Sequence, residues 1–315
     1  MPSWTAGTTS RPPASRPTPA PTGCRDCGPC PSPSSTPEWS MPRARHGEIE
    51  IAYEAFGAEG DPALILLHGL GSSMLVFPED LCAGFVDRGF FVLRMDHRDS
   101  GLSTVLADGA RYTLEDMATD VVVVLDTAGC DRAIICGYSL GGMVAQVAAA
   151  SFGARVAGLV SISSHTGEPG VGDPTPEALA ALTAPPAATV AEQIEVDLAG
   201  YRIWSSPDWR NEQAEREYLD RSYRRAWHPG ASERQFKAAA RSGDRADELR
   251  GLDVPTLVIH GSADPLITPD AGRRTAELVP GAEHLEIEGM GHDLPPQVWA
   301  SIISAVTALA ARIAW

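Results

Sequence analysis

The chain has 315 residues, 43% of them hydrophobic and 21% charged, which is typical of a globular protein with one large domain or two smaller ones. Its formal charge of −16 disfavours a nucleic-acid backbone or an anionic membrane surface as a partner. No run approaches the roughly 18 consecutive apolar residues of a transmembrane helix. The start of the chain also lacks the basic flank and apolar segment of a secretory signal. Together these features predict a cytoplasmic protein.

Residues 1–40 differ in composition from the rest of the chain. They are rich in proline, serine and threonine and contain almost no aliphatic residues. Such a segment cannot bury enough apolar surface to offset the entropy of ordering it, so we predict a disordered tail. Strand-like patterning begins directly after Met41, which makes this methionine a second candidate for the translation start.

Three of the six cysteines crowd into the tail, as Cys24, Cys27 and Cys30. Their spacing resembles part of an iron–sulfur sequence, but Ser34 stands where a fourth cysteine is expected. We therefore predict that the tail binds no metal. The other three cysteines lie far apart in apolar surroundings, which favours reduced thiols over a disulfide framework.

Beyond the tail, strand and helix patterns alternate. Residues 48–51 alternate between polar and apolar, as expected for an exposed antiparallel strand. Five short apolar runs are typical of strands that a parallel sheet buries on both faces. They are residues 63–67, 90–95, 133–136, 156–162 and 255–259. Helices are predicted at 113–125, opened by a Thr-x-x-Asp capping pattern, and at 140–152, ended by Gly153. The alternation predicts an α/β sheet wrapped by helices, with ligands bound beyond the carboxyl ends of the strands.

Residues 167–247 interrupt this alternation. They contain no strand pattern, begin with a connector rich in proline and glycine, and continue as helices. Seven of the 20 aromatic residues of the chain occur here: Tyr201, Trp204, Trp209, Tyr218, Tyr223, Trp227 and Phe236. We predict a helical cap over a pocket, inserted into a core formed by residues 41–166 and 248–315. The simpler alternative is a set of extra helices packed on the sheet.

The sequence Gly137-Tyr138-Ser139-Leu140-Gly141 lies where a predicted strand ends and a helix begins. This G-x-S-x-G pattern predicts a sharp turn that lifts the serine hydroxyl clear of the sheet, with glycines where a Cβ atom would collide. Ser139 would then stand at a helix N-terminus, where free amides and the helix dipole favour a developing oxyanion. The pattern alone is weak, but its position between strand and helix makes it much stronger.

A serine hydroxyl needs a base to become nucleophilic, and the base needs a carboxylate to orient it. Asp264 follows an apolar strand, and His292 lies in the glycine-rich loop after residues 284–287. Both loops leave strand ends on the same edge as Ser139. Taken singly, Asp264 could be a turn residue and His292 a capping or loop histidine. Their joint occurrence in the order serine, acid, histidine predicts a catalytic triad.

The other histidines are weaker candidates for the base. His260 and His284 fall within predicted buried strands, and His46 lies beside the tail. His165 follows a strand and could face the pocket, but no acid is placed to orient it.

Three acidic positions have structural interpretations. Asp293 cannot easily reach the far ring nitrogen of its neighbour, and Asp270 falls at a helix start, where capping explains it. Asp96 begins the segment Asp-His-Arg-Asp-Ser-Gly at residues 96–101. We interpret this segment as a loop locked by its charges and its glycine, since the elbow already supplies a nucleophile.

These motifs resemble the α/β-hydrolase superfamily over residues 45–315. Three segments further resemble bacterial esterases related to aclacinomycin methylesterase: residues 96–103, 137–142 and 289–295. The resemblance implies a mostly parallel sheet of eight strands flanked by helices, a helical cap after the sixth strand, and no cofactor. It also implies that Ser139, Asp264 and His292 are the triad.

In this fold the loop His68-Gly69-Leu70-Gly71 would supply a second oxyanion donor, so that the backbone amides of Leu70 and Leu140 form the hole. The alternative is a tight turn without a catalytic part. Similar loops occur in esterases, C–C bond hydrolases and cofactor-free haloperoxidases. Serine at the elbow argues against haloalkane dehalogenase and epoxide hydrolase chemistry, because those enzymes carry aspartate there.

Taken together, these residues predict a serine carboxylic-ester hydrolase that uses water and an acyl-enzyme, with no metal and no cofactor. The aromatic insertion favours small to medium, largely apolar esters, and the resemblance implies a methyl ester on a polycyclic ring as one candidate. Two alternatives stay open: a C–C bond hydrolase with the same triad, and a non-catalytic ligand receptor on a hydrolase scaffold. Neither a nucleic acid nor a membrane is expected as a partner, and the sequence indicates no oligomeric state.

Overall fold

The computed structural model describes residues 41–315 and contains one sheet of eight strands. In chain order they are β1 Arg43–His46, β2 Ile49–Phe56, β3 Ala63–Leu67, β4 Phe91–Met95, β5 Ala133–Tyr138, β6 Val156–Ile162, β7 Thr256–Gly261 and β8 Glu283–Ile287. Across the sheet the order is β1-β2-β4-β3-β5-β6-β7-β8. Strand β2 runs antiparallel to both neighbours, and all other neighbouring pairs are parallel. The predicted mostly parallel sheet of eight strands is confirmed.

Ten α-helices surround or follow these strands in the described part of the chain. They are α1 Glu79–Val86, α2 Leu114–Thr127, α3 Leu140–Ser151, α4 Pro176–Leu182, α5 Val190–Trp204, α6 Glu212–Arg225, α7 Ala231–Ser242, α8 Ala246–Arg250, α9 Asp270–Leu278 and α10 Pro296–Ala310. Among residues 41–315, no helix combines the length and apolar character needed to cross a membrane. The predicted disordered tail and its cysteine cluster lie outside the described residues.

The core consists of two apolar layers, one on each face of the sheet. In β3, Leu64 and Leu66 face the layer that contains α1 and α10. Ile65 and Leu67 face the opposite layer, with α2, α3 and α9. Because helices cover both faces, strands β3 to β7 are buried at every position, which explains their nearly continuous apolar sequence.

Several predicted boundaries differ from the structure. The exposed strand predicted at 48–51 is part of the longer β2, whose residues Ile51 and Ala52 are buried because β2 lies between β1 and β4. Helix α2 extends two residues beyond the predicted end, although Thr113 caps it as predicted, accepting a hydrogen bond from the Asp116 amide. Strand β1 was not predicted, since Ala44 is its only buried residue.

Five helices, α4 to α8, lie between β6 and β7, and we refer to them as the inserted helices. Residues 167–247 contain no strand, as predicted. Local capping explains two of the helix starts. The Thr189 hydroxyl and the Glu192 carboxylate form a capping box at α5, and the Asn211 side chain accepts a hydrogen bond from the Ala214 amide at α6.

Candidate active site

Ser139 occupies the turn between β5 and α3. Its backbone angles, φ 55° and ψ −119°, are strained for a residue other than glycine. The turn tolerates no side chain at two neighbouring positions. A Cβ atom on Gly137 would lie 2.0 Å from the Gly141 carbonyl oxygen, and one on Gly141 would lie 2.1 Å from the Leu67 carbonyl oxygen. The two glycines therefore allow the close approach that the predicted elbow requires.

The structure brings the three predicted side chains together at the carboxyl ends of the strands. Nε2 of His292 lies 3.0 Å from Oγ of Ser139. Nδ1 of the same ring lies 2.6 Å from Oδ2 of Asp264. All three residues are buried, with exposed fractions of 8% for Ser139, 5% for His292 and 3% for Asp264. This arrangement can pass a proton from the hydroxyl to a ring that the carboxylate orients.

The Asp264 carboxylate is held by backbone amides. Its Oδ1 accepts hydrogen bonds from the amides of Leu266 and Ile267, both at 2.9 Å, which leaves Oδ2 for His292. A second histidine, His260, lies 3.6 Å from the same carboxylate, but its Nε2 is 2.8 Å from the Ile267 carbonyl oxygen. Burial lowers the pKa of His260. We therefore interpret His260 as a neutral group that ties down the acid loop.

The loop that carries His292 is attached to the last residue of α5 and to the connection that follows it. The His292 amide donates to the Trp204 carbonyl at 2.6 Å, and the Gly291 amide donates to the Ser206 hydroxyl at 2.9 Å. The Tyr138 hydroxyl in turn donates to the His292 carbonyl at 2.8 Å. These bonds fix the backbone on both sides of the imidazole. The sequence patterns did not predict them, because backbone partners leave no mark on residue identity.

The loop after β3 lies against Ser139, since a Cβ atom on Gly69 would be 3.2 Å from the serine Cβ. The Gly69 carbonyl accepts from the Ser72 amide at 3.3 Å and lies 2.7 Å from Nδ1 of His68. Nε2 of His68 accepts from the His97 amide at 3.1 Å, which places the ring proton on Nδ1. Because the carbonyl and N–H of a trans peptide point in opposite directions, holding the Gly69 carbonyl orients the Leu70 amide away from these partners.

Leu140, the other predicted donor, is the first residue of α3, so its amide has no partner within the helix. Leu70 and Ser139 line the same cavity. The assignment of the Leu70 and Leu140 amides as oxyanion donors stays a prediction.

The segment after β4 is tied down by buried bonds. The Asp96 carboxylate accepts from the amides of Met74 and Leu102, both at 2.9 Å, and pairs with Arg225 of α6 at 2.7 Å. Asp99 accepts from the Tyr112 hydroxyl and pairs with Arg234 of α7 at 2.8 Å. These contacts support the structural interpretation of residues 96–101.

The other alternative histidines form none of the hydrogen bonds that join Ser139, His292 and Asp264. His46 is exposed at the end of β1, and His284 is exposed on the edge strand β8, so the expectation that His284 is buried was wrong. His165 accepts a hydrogen bond from the Gly167 amide, and burial lowers its pKa to about 4.

The two alternative acids also have other partners. Asp293 accepts hydrogen bonds from Ser206, including its amide at 3.0 Å, rather than contacting the imidazole. Asp270 begins α9 as predicted, but the N-cap residue is Pro269, and the Asp270 carboxylate accepts from the Gly172 amide at 3.0 Å and the Thr268 hydroxyl at 2.6 Å. The capping interpretation of Asp270 was therefore wrong, because the connector before α4 folds back onto this side chain.

A cavity of about 550 Å³ opens beside Ser139 and His292. Its wall on the core side includes Leu75, Val76 and Trp299. The inserted helices and their connections contribute Leu182, Tyr201, Trp204, Trp209 and Tyr218. The cavity is therefore lined largely by aliphatic and aromatic side chains, and Ser139 and His292 are part of its wall.

Comparison with known proteins places this site in a family. The family model for the alpha/beta hydrolase fold matches residues 62–296. The chain belongs to this family, and it is a hydrolase.

Three relatives give this assignment more detail. Rhodomycin D methylesterase DauP of Streptomyces sp. (strain C5) is 29% identical over 83% of this chain and 95% of its own length. A 2-hydroxy-6-oxononadienedioate/2-hydroxy-6-oxononatrienedioate hydrolase of Paraburkholderia phymatum is 30% identical over 78% of this chain and 85% of its own length. The crystal structure of esterase RhEst1 from Rhodococcus sp. ECU1013 shares the fold with a TM-score of 0.73, at 24% identity over 87% of this chain and all of that one.

Proposed function

We propose that this hydrolase is a serine carboxylic-ester hydrolase. The observation that carries the proposal is the continuous chain of short contacts from Asp264 through His292 to Ser139, with the serine in a strained elbow. Similarity to a methylesterase over 83% of the chain supports ester chemistry.

In this mechanism Ser139 attacks the ester carbonyl while His292 takes its proton, and Asp264 stabilises the resulting imidazolium. The amides of Leu70 and Leu140 bind the oxyanion of the tetrahedral intermediate. His292 then protonates the departing alcohol. Water, activated by the same imidazole, attacks the acyl-enzyme and releases the acid.

The inserted helices act as a cap over the cavity and set the substrate class. The aromatic and aliphatic lining favours esters with a largely apolar body, and the volume of about 550 Å³ suits a small to medium substrate. A methyl ester of a bulky ring system is one candidate, supported by the name of the methylesterase relative. We further infer a reducing compartment such as the cytoplasm, since Cys82, Cys130 and Cys136 are unpaired.

A panel of p-nitrophenyl and methyl esters that varies acyl length and alcohol bulk tests this function. We expect saturable hydrolysis, an initial burst of about one equivalent of p-nitrophenol, and an acyl adduct on Ser139 by mass spectrometry. Ser139→Ala should lower kcat by at least about 10³-fold while binding of the product acid persists. A rate that survives this substitution would contradict the mechanism.

C–C bond hydrolysis with the same three residues is the second candidate. It is favoured by similarity to a hydrolase whose named substrate is a keto acid and contains no ester. A vinylogous diketone assayed beside the ester panel separates the two functions: a higher kcat/KM for the diketone would replace the ester assignment. Ligand binding without turnover of either substrate class would instead favour a receptor.

A further inference from the structure

The side-chain amide of Gln235, in α7, is fully buried and bonds two loops of the core at once. Its Oε1 accepts a hydrogen bond from the Gly71 amide at 3.0 Å. Its Nε2 donates to the Arg98 carbonyl at 3.0 Å and to the Ser100 hydroxyl at 2.8 Å. Because Gly71 offers a donor and Arg98 an acceptor, only this orientation of the amide satisfies both partners.

Other side chains of the inserted helices bond one of these loops each. The Tyr218 hydroxyl lies 2.6 Å from that of Ser72, in the loop after β3. Arg225 and Arg234 pair with acids of the loop after β4. Within the part of the chain that the structure describes, Gln235 is the inserted-helix side chain that joins both loops. The loop after β3 also packs directly on α7, since a Cβ atom on Gly71 would lie 3.2 Å from that of Ser232.

We propose that Gln235 is a positioning residue for ester hydrolysis, which holds the Leu70 amide in place for the oxyanion; this inference rests on the proposed function. Two peptide planes flank Leu70. The carbonyl of the preceding one, Gly69, is held by the Ser72 amide and the His68 ring. The N–H of the following one, Gly71, is held by Gln235. Of the hydrogen bonds that hold these two peptides, the bond with Gln235 is the one that comes from an inserted helix, α7.

A consequence is that the oxyanion site is complete only when α7 is seated on the core. Loss of the Gln235 bond frees the peptide after Leu70 and so loosens the loop that carries the Leu70 N–H, which then spends less time aimed at the oxyanion. A hydrogen bond from the Leu70 amide stabilises the charged oxygen of the transition state more than the neutral carbonyl oxygen of the bound ester. The effect should therefore fall on kcat and on the affinity for transition-state analogues rather than on KM.

Gln235→Met tests the proposal, because it keeps the volume of the side chain and removes both ends of the bridge. Gln146→Met is the matched control: Gln146 is equally buried, and its amide bonds Ser161 and Arg245, away from both loops. The measurements are kcat and KM for the best p-nitrophenyl ester, and the inhibition constant of a trifluoromethyl ketone, whose adduct with Ser139 places an oxyanion in the site.

For Gln235→Met we expect kcat to fall about 10- to 100-fold and ketone affinity to fall by a similar factor, with KM changed less than about threefold. Gln146→Met should lower the melting temperature and leave both quantities within about threefold of wild type. If Gln235→Met does not fold, Gln235→Asn replaces it, since its shorter amide cannot reach Gly71 and Arg98 together. A smaller but parallel fall in kcat and ketone affinity is then expected.

Equal kcat and ketone affinity in the Gln235 and Gln146 variants would overturn the role of Gln235. That outcome is distinguishable from failure of the proposed function. In the latter case wild type hydrolyses no ester, or Ser139→Ala retains the rate, whatever residue stands at position 235.

Discussion

The sheet and α6, one of the inserted helices, are held in place by different kinds of interaction. Strands β3 to β7 are buried along their whole length, and helix α3 alone buries nine residues against them. Helix α6, although longer than α3, buries only Leu219 and Ser222 and attaches to the core through Arg225 and Asp96. Apolar burial therefore stabilises the core and also the contacts of α7 and α8 with it, while directional polar bonds dominate the attachment of α6.

Within the candidate site, the core provides the groups proposed to react, and the inserted helices provide much of the apolar wall. The groups proposed to react, Ser139, Asp264 and His292, all come from loops of the core, where backbone bonds and close packing fix them. The apolar wall that faces a substrate comes in large part from the inserted helices. Because hydrogen bonds and ion pairs depend strongly on geometry, the polar attachment also sets the register between the two parts.

The largest effect is expected inside the core. Asp264→Asn keeps an oxygen for the amides of Leu266 and Ile267, but it removes the charge that faces His292. We expect kcat to fall about 10⁴-fold with little loss of stability. Asp293→Asn, next to the imidazole in sequence but bonded to Ser206, should lower kcat by less than about tenfold. Similar losses in the two variants, measured under saturating ester, would contradict the assigned acid.

The next effect concerns the attachment of α6. Arg225→Met leaves the fully buried Asp96 carboxylate without its cation, and we expect a loss of about 3 kcal/mol in the free energy of unfolding. Arg224→Met is the control, since the Arg224 side chain is 77% exposed and pairs with the half-buried Asp220. Its effect should stay below about 0.5 kcal/mol. Urea denaturation of both variants measures the difference, and equal midpoints would show that the buried pair does not seat the helix.

A pH-dependent effect on stability is expected at His165, which is partly buried. Burial lowers the pKa of His165 from 6.5 to about 4. Below pH 6.5 the unfolded chain therefore binds a proton that the native state refuses, so acidification destabilises the fold until pH 4. His165→Asn, which keeps an acceptor for the Gly167 amide, should remove about 2 kcal/mol of the loss between pH 7 and pH 5.

Burial also lowers the pKa values of His68 and His260, so a smaller slope of the same sign should remain in His165→Asn. An unaltered slope in His165→Asn would show that this ring does not titrate as described.

The smallest effect is expected at the wall of the cavity. Leu182→Ala removes apolar surface that the inserted helices present to a substrate. KM for esters with a bulky acyl or alcohol group should rise about fivefold, with kcat nearly unchanged. Leu179→Ala, one turn earlier in α4 and exposed, should change neither constant. A parallel loss for small and bulky esters would argue against a role of Leu182 in substrate recognition.

Much of the fold could be predicted because its signals are local. Strands β3 to β7 are recognisable in the sequence as short apolar runs. Thr113 caps the N-terminus of α2, and Gly153 lies just beyond the C-terminus of α3. Predicted ends were off by one or two residues where a strand or helix continues past its apolar run. Strand β2 was underestimated more seriously, because its burial depends on both of its neighbours.

In the candidate active site, too, local signals could be predicted and long-range contacts could not. Ser139, Asp264 and His292 could be found from residue type, order and position after strands. Gln235 and Arg225 could not, because a polar residue on a charged helix resembles an ordinary solvent-facing position. Their partners lie more than 120 residues away in the chain. Trp204 was noted as an aromatic, but its carbonyl bond to the His292 amide depends on backbone alone.

The sequence by itself thus determined the α/β alternation, the apolar core and the identity of the three central side chains. Periodicity, capping and the steric needs of a tight turn act over a few neighbouring residues, so they are visible in one dimension. Tertiary structure alone decided how the inserted helices seat on the core and which polar groups orient the loops around Ser139. Those contacts join distant segments, and their free energy depends on burial and distance, which exist only once the chain has folded.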